Sequence, residues 1–201
     1  KVTTTTVTTA QGNVTISSPT WNATNHTASV TISKNAGVDS TYTVQYQVVT
    51  TLANITESGW EPGTSVSGIN LNEYVCVRLW DGNNGGGYTS SKITETTDPT
   101  VNVTGVPTTN GITATVTATD NEAGMPANPT YIYYIRKADG GTFEEKHRGP
   151  ETSHTFTGLD QTTEYEIKVE VADKAGNVGE GTDKVTTTTV TTAQGNVTIS
   201  S

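Results

Sequence analysis

Residues 158–171 read GLDQTTEYEIKVEV, and this stretch carries the clearest fold signal in the chain. Apolar side chains stand at every second position from Tyr165 to Val171, with charged residues between them. Alternation with a period of two is typical of a β-strand that has one face buried and the other in water. Gly158 and the polar run after it predict a tight corner before the strand.

The same period of two recurs along the rest of the chain. The alternating positions are Ala28, Val30 and Ile32; Tyr42, Val44, Tyr46 and Val48; Ile112, Ala114, Val116 and Ala118; and the run from Tyr131 to Ile135. Turn-forming clusters at residues 81–84 and 139–141 separate such runs. No stretch has the 3.6-residue period of an amphipathic helix. We therefore expect an all-β chain of two tandem β-sandwiches with virtually no helix.

The corner and strand at residues 158–171 resemble the penultimate-strand signature of fibronectin type III domains. In those domains a Leu, here Leu159, precedes a Tyr, here Tyr165, whose hydroxyl holds the corner at the entry to the strand. The next residues, 172–177 (ADKAGN), resemble a turn common in bacterial immunoglobulin-like and fibronectin-like surface modules. The resemblance implies immunoglobulin-like (fibronectin III-like) sandwiches in a surface protein.

Residues 68–74, GINLNEY, are a related but weaker version of this corner in the first half of the chain. The strand that follows permits two registers. One register turns Tyr74, Cys76, Arg78 and Trp80 inward, and the other turns Val75, Val77 and Leu79 inward. Because a shift of one residue moves every side chain to the other face, the sequence leaves both registers open, and with them the face of Cys76.

Composition excludes some classes of partner. The formal net charge is −9, which disfavours nucleic acid because phosphate contacts need clustered Lys and Arg. No apolar run approaches the ~20 residues that span a bilayer, so we expect no membrane insertion in this segment. Only 31% of residues are apolar, and Thr, a β-branched residue that favours strands, is abundant. This composition indicates thin sheets with polar outer faces.

An exact repeat joins the two ends of the sequence. Residues 1–18 read KVTTTTVTTAQGNVTISS, and residues 184–201 read the same without a substitution. An offset of 183 residues predicts a tandem array with that period. On this interpretation, residues 1–11 are the closing strand of a preceding repeat, 12–96 the first sandwich, 97–192 the second, and 193–201 the opening strand of the following repeat. The fold prediction thus includes an extra terminal strand at each end.

These features predict a structural repeat unit of an extracellular filament, stalk or cell-surface array. Its expected partners are copies of itself, joined head-to-tail by chain continuity or by strand exchange. The alternative is a carbohydrate-binding or adhesive accessory module of a secreted or surface protein. Three Trp residues in the first half, Trp21, Trp60 and Trp80, would then form a sugar platform, although core packing is the commoner use of Trp.

No catalytic constellation is evident, and we expect no enzyme and no cofactor. His26, His147 and His154 lack metal-ligand spacing relative to one another or to Cys76, and solvated roles are expected for them. Glu144 and Glu145 are adjacent, so they should point apart on a strand. Calcium at the domain junction is one possibility, because acidic residues lie in the predicted turns and beside the linker; ordinary turn chemistry is the other.

Surface modification is a further expectation. Asn-x-Thr triplets, the acceptor pattern for N-linked sugar, begin at Asn13, Asn22, Asn25, Asn54, Asn102 and Asn196. The Thr runs at 3–6 and 186–189 could carry O-linked sugar or form a polar strand. Cys76, the single cysteine, excludes a disulfide within the chain; it is either a buried strand residue or an exposed cross-linking thiol.

Overall fold

A computed structural model describes residue 10 and residues 12–190 of the chain. The described residues form two compact units. The first unit comprises the described residues up to Thr97 together with Asp120–Gly124, and the second comprises Asp98–Thr119 and the residues from Met125 onward. The predicted terminal strands, 1–11 and 193–201, fall outside the described residues apart from Ala10, and the four-part division of the chain stays a prediction.

The first unit is an antiparallel sandwich of two sheets. Its strands are β1 (Val14–Ile16), β2 (Thr20–Asn22), β3 (Thr27–Lys34), β4 (Thr43–Val49), β5 (Glu61–Pro62), β6 (Ser65–Ile69), β7 (Tyr74–Trp80) and β8 (Thr89–Lys92). In one sheet β3 pairs with β1, β2 and β6, and the other sheet has the order β5-β4-β7-β8. Two three-residue 3₁₀ turns, Leu52–Asn54 and Glu57–Gly59, lie between β4 and β5.

The second unit is a seven-stranded antiparallel sandwich. Its strands are β9 (Thr100–Pro107), β10 (Gly111–Thr119), β11 (Tyr131–Lys137), β12 (Glu144–Gly149), β13 (Ser153–Thr157), β14 (Glu164–Ala172) and β15 (Val178–Thr186). The sheets have the orders β13-β10-β9 and β12-β11-β14-β15. The prediction of two tandem immunoglobulin-like sandwiches with virtually no helix is confirmed. None of the helices within the described residues has the length and apolarity of a membrane span.

Most of the core residues lie at the alternating apolar positions that the sequence predicted. In β3, Ala28, Val30 and Ile32 are at most 3% exposed, and β10 buries Ile112, Ala114 and Val116 in the same way. β14 buries the four apolar residues whose alternation predicted a β-strand, Tyr165, Ile167, Val169 and Val171. Because a sheet pleats with a period of two, these three strands turn one face to the core and direct the intervening residues, mainly Thr, Lys and Glu, away from it.

The register of β7 follows the more apolar alternative, because Val75, Val77 and Leu79 belong to the core of the first unit. The opposite face of the strand is also buried: Cys76 is 0% exposed and Arg78 7%. Burial raises the pKa of the Cys76 thiol to about 11. The cysteine is therefore a protonated strand residue, as in the first of its two predicted roles, and not an exposed cross-linking thiol.

The segment after β4 covers this outer face. The side chain of Gln47 accepts a hydrogen bond from the Thr56 amide at 3.2 Å and donates one to the Thr56 carbonyl. Gln47 is buried, whereas Val48 is 36% exposed and Val49 is buried. The alternation predicted for Tyr42–Val48 therefore breaks at its end, because a polar side chain anchors the covering segment at a position that periodicity assigns to solvent.

Candidate functional site

The corner that precedes β14 is held by a tyrosine hydroxyl, as the resemblance to fibronectin type III domains implies. The amide of Asp160 donates a hydrogen bond to the Tyr165 hydroxyl at 3.0 Å, and Tyr165 is 6% exposed. In the first unit the equivalent corner uses a carboxylate instead. Glu73 Oε2 accepts from the backbone amide of Asn70 at 2.7 Å, and Asn72 has a left-handed φ of 69°.

The chain remains tied to the second unit after β15 ends. Thr187 is 1% exposed, and its hydroxyl donates to the Asp160 carbonyl at 2.6 Å and accepts from the Thr163 amide at 3.1 Å. The Thr188 amide then donates to the Thr108 carbonyl at 2.9 Å. Residues 184–188 therefore close the second sandwich. Within the Thr run at 186–189, Thr187 is part of this closure and is too buried to be a sugar acceptor.

The first unit shows how the other half of the repeated sequence folds. Ala10 is 0% exposed, and its amide donates to the Gly87 carbonyl at 2.8 Å. β1 pairs antiparallel with β3, with Val14 opposite Lys34 and Ile16 opposite Ile32. Residues 10 and 12–18 thus open the first sandwich, just as residues 184–188 close the second. The two described halves belong to one 18-residue sequence that occurs twice in the chain.

Arg78 lies between two of the three Trp side chains. Its guanidinium carbon is 4.6 Å from the ring centroid of Trp60 and 4.9 Å from that of Trp80. Its Nη1 donates to Glu57 at 2.9 Å, and its Nε donates to Gln45 at 2.8 Å. One face of each indole is therefore occupied by a cation, an arrangement that stabilises the outer face of the β4–β7 sheet.

Trp21 is placed differently from the other two. It lies in β2, in the sheet opposite to the one that holds Trp80, and packs partly buried against the core of the first unit. The structure therefore brings two of the predicted platform residues together and leaves the third apart. A sugar platform at Trp21, Trp60 and Trp80 stays a prediction.

The predicted glycosylation positions differ in how available they are. Asn22, Asn25, Asn54 and Asn102 are exposed, Asn13 is partly buried beside β1, and Asn196 lies outside the described residues. The side-chain oxygen of Asn22 accepts a hydrogen bond from the Thr24 amide, and that of Asn25 accepts one from the Thr27 amide. The amide nitrogen of Asn54, the atom that would carry a sugar, donates to Thr50 at 3.0 Å. Glycosylation stays a prediction at all six positions, of which Asn22, Asn25 and Asn102 are exposed.

The acidic turn residues are used mainly as turn caps. Asp81 accepts from the amides of Asn83 and Asn84, and these hydrogen bonds, the one from Asn84 first, lower the pKa of its carboxyl. Asp173 accepts from the amides of Gly176 and Asn177 in the same way. Glu95 and Asp120 are buried carboxylates of the first unit that could contribute oxygen ligands. Calcium at the domain junction stays a prediction.

Two histidines that were expected to be solvated lie against each other in the second unit. His147 on β12 and His154 on β13 stack with ring centroids 4.6 Å apart and an interplanar angle of 1°. His154 also contacts Tyr133 and Phe156, and His147 Nε2 lies 3.0 Å from a Glu151 oxygen. The sequence carried no signal for this pair, because the two rings come from strands of different sheets.

The histidine pair predicts a pH dependence of stability. Burial, and then the charge of His147, lowers the pKa of His154 below its ordinary value of 6.5. Since unfolding restores that value, the unfolded state binds more protons, and acid favours unfolding. We expect the unfolding free energy of the second unit to fall as the pH drops through 6.5, and to stop falling once the folded pKa is passed.

Urea unfolding monitored by hydrogen exchange of β10 and β11 at pH 7.5 and 5.5 measures this effect. His154→Phe keeps an aromatic ring beside Phe156 and removes the titrating group, so its stability should change little between the two pH values. An equal loss in the wild-type chain and the variant would contradict the assignment.

The two units define a class: tandem, fibronectin III-like β-sandwiches. No family model and no curated protein matches the chain. Among solved structures it is similar to a segment of two fibronectin type III domains from chicken tenascin, with 16% identity, a TM-score of 0.49, and coverage of 87% of this chain and 97% of that one. It is also similar to the FN1–FN3 domains of chicken CNTN1, with 15% identity, a TM-score of 0.36, and coverage of 86% and 66%. At these identities and TM-scores, neither likeness says anything about what the chain does.

Proposed function

We propose that this chain is a structural repeat unit of an extracellular filament, stalk or surface array, in which sandwiches follow one another head-to-tail with a period of 183 residues. Tandem sandwiches of this class are commonly structural or adhesive modules. The extracellular setting and the array are the proposal; the exact repeat and its placement in the two units support it.

The observation that carries the proposal is that the two parts of the repeated 18-residue sequence have different structural roles. Its first residues, 184–188 in the second copy, close one sandwich through β15 and Thr187. Its last residues, 10 and 12–18 in the first copy, open the other sandwich through Ala10 and β1. In an array with this period, one continuous sequence would therefore join the end of each second unit to the start of the next first unit.

The junction between periods is short in this arrangement. The Thr188 amide, which donates to the Thr108 carbonyl, still belongs to the second unit, and Ala193 repeats the buried Ala10 that opens the first unit. Five Cα–Cα steps separate Thr188 from Ala193. Five steps span at most about 18 Å when extended, so consecutive sandwiches would be spaced closely.

The closing strand of the second unit is built to resist pulling. β15 pairs with β14 over nine consecutive positions, from Glu164 opposite Thr186 to Ala172 opposite Val178. A force applied along β15 would load these hydrogen bonds together in shear, because the hydrogen bonds of an antiparallel pair are perpendicular to the strands. This property suits a stalk or filament and requires no catalytic group.

Negative-stain electron microscopy of the native full-length protein tests the proposal. The expected result is filaments or rods with a regular axial repeat of two beads. Dispersed globular particles of the full-length protein, with no repeating beads, would overturn it. Mass spectrometry of the intact protein tests glycosylation. A mass equal to that of the polypeptide alone would exclude modification of Asn22 and Asn25.

A further inference from the structure

We infer that β13 is a self-pairing edge, to which a second copy of this chain adds its own β13 in antiparallel orientation. The contact would continue the β13-β10-β9 sheet of one copy into the same sheet of the other. The inference goes beyond the proposed function, because it concerns one side of the second unit and does not depend on the repeated segment.

Three of the four edge strands described in the second unit are protected from pairing with another chain. β9 and β15 lie against each other, with the Gly105 amide donating to the Asp183 carboxylate at 2.8 Å. β12 is charged at four of its six positions, and a register shift between Tyr133 and Tyr134 of β11 makes Lys146 an extra residue in the ladder. Charged side chains and bulges are the usual devices that keep an edge from pairing.

The fourth edge strand, β13, lacks both devices. Its sequence, SHTFT, has no acidic residue, lysine or arginine, and it pairs with β10 without a register shift. No described strand pairs with its other side, and Ser153, Thr155 and Thr157 are exposed. The stretch from His154 to Thr157 also borders a cavity of about 280 Å³ between the two sheets. Within the described part of the chain, this edge is therefore accessible to a second copy.

The ladder with β10 determines which backbone groups of β13 point outward. The Val116 amide donates to the Thr152 carbonyl at 2.9 Å, so these two residues form a hydrogen-bonded pair. Hydrogen-bonded and non-hydrogen-bonded pairs alternate along an antiparallel ladder. Every second residue of β13 therefore bonds to β10, and the others turn their N–H and C=O groups away from it. The outward-facing residues are Ser153, Thr155 and Thr157.

Two such edges complement each other when Thr155 lies on a twofold axis. Thr155 then pairs with the partner's Thr155, and Ser153 pairs with the partner's Thr157, each pair exchanging two hydrogen bonds. Every outward N–H and C=O group of both edges is used in this register, as in recognition by strand addition. Because a twofold contact is isologous, it joins two chains and then closes.

The side chains of the two edges are compatible in this register. On the outer face the cross-strand neighbours are Thr and Ser, and on the inner face His154 lies opposite the partner's Phe156. Within one unit the same two rings already meet edge to face, with centroids 4.9 Å apart. Thr pairs and aromatic pairs across strands are favourable, whereas like charges are not. For a chain of net charge −9, this edge allows two copies to approach without placing carboxylates opposite one another.

Hydrogen exchange of the full chain at increasing concentration tests the pairing. An edge of five residues buries less surface than a standard interface, so the association should be weak. Between about 10 µM and 1 mM, the range of weak complexes, the amides of Ser153, Thr155 and Thr157 should become protected. The amides of His154 and Phe156 bond to β10 and should be protected throughout. Sedimentation equilibrium should show the mass rising from 21.1 kDa toward twice that value.

Thr155→Lys is the sharpest variant, because it places two like charges opposite each other on the axis. At this exposed position it should leave the fold intact and raise the dissociation constant about fivefold or more. Thr155→Glu should weaken the dimer in the same way, and an equimolar mixture of the two variants should associate more tightly than either alone. The matched control is Thr117→Lys, which adds the same charge to an exposed position of β10 beyond its pairs with β13 and should dimerise like the unmodified chain.

Thr155→Pro removes the outward N–H group without removing a hydrogen bond to β10. Proline is accepted on an edge strand where its missing N–H would face solvent, so the unit should still fold. This variant should abolish the protection of the Ser153 and Thr157 amides at high concentration and preserve the protection of the His154 and Phe156 amides.

Any of three results would overturn the inference. One is a mass of 21.1 kDa that persists at about 1 mM. Another is dimerisation that Thr155→Lys and Thr117→Lys weaken equally. The third is a mixture of Thr155→Lys and Thr155→Glu that associates no more tightly than either variant alone. None of these results bears on the proposed array, which microscopy of the native protein reports.

Discussion

Gly179→Ala is expected to lower the unfolding free energy of the second unit by about 3 kcal/mol, at the upper end of the usual cost of overpacking. Gly179 lies on β15, where the strand passes β9 at close range. A Cβ at this position would lie 2.0 Å from the carbonyl oxygen of Pro99, a distance at which the backbone itself must move. Pro99 directly precedes β9, so its carbonyl is held in place by the strand that begins at the next residue, and a shift of this carbonyl would disturb the start of β9.

Gly181→Ala provides an internal comparison. Its Cβ would lie 2.6 Å from the Val101 carbonyl oxygen, so the same methyl group should destabilise in the same direction but less than at Gly179. Thr182→Ala, at an exposed position of the same strand, should change stability by no more than about 0.5 kcal/mol. Hydrogen exchange of β9 and β15 in urea measures all three, and the reverse order of the two glycine variants would contradict the close approach.

Tyr133→Ala should cost the second unit about 3–5 kcal/mol, the range found when a buried aromatic ring is removed. Tyr133 on β11 is 0% exposed and packs with its ring centroid 5.5 Å from His154 and 5.8 Å from His147. Its hydroxyl donates to the Glu151 carbonyl at 2.6 Å. Truncation would leave a cavity where three rings now meet and would leave that carbonyl without this donor.

Tyr133→Phe separates the ring from the hydroxyl. It keeps the packing and loses one partly buried hydrogen bond, so its cost should be about 1–2 kcal/mol. The unfolding transition of the second unit, followed by NMR signals of Phe156 in increasing urea, gives both values. A cost for Tyr133→Phe as large as that for Tyr133→Ala would show that the hydroxyl, and not the ring, dominates at this position.

The strands of the second unit were predictable because their signal is local. Alternation from Tyr165 to Val171 depends only on which side of a pleated strand meets water, and the corner before it uses residues five positions apart, Asp160 and Tyr165. The corner of the first unit was harder to interpret. There Glu73 closes the turn with a carboxylate, so the sequence resembled the tyrosine pattern without using its hydrogen bond.

The outer face of β7 was not predictable from the strand. Apolar and polar residues alternate in a strand that has one face in water. In β7, however, Cys76 and Arg78 are buried on the face opposite to the apolar core face. The segment after β4, anchored through Gln47, covers this outer face of β7. The position of that segment depends on tertiary contacts, which the sequence of β7 does not reveal. For the same reason, the sequence suggested one shared role for the three Trp residues. In the structure, Trp60 and Trp80 contact Arg78, whereas Trp21 packs at the edge of the core.

By itself, the sequence determined that this chain is all-β and that one 18-residue segment occurs twice, at an offset of 183 residues. The first property depends on local alternation and the second on identity between two segments, so both can be determined without knowledge of tertiary contacts. Only the tertiary structure decided what the repeated segment does: its first part closes one sandwich through Thr187, and its last part opens another through Ala10. Those roles depend on the Asp160–Thr163 corner and on β3, which lie far away in the chain and become neighbours only when the sheets pack.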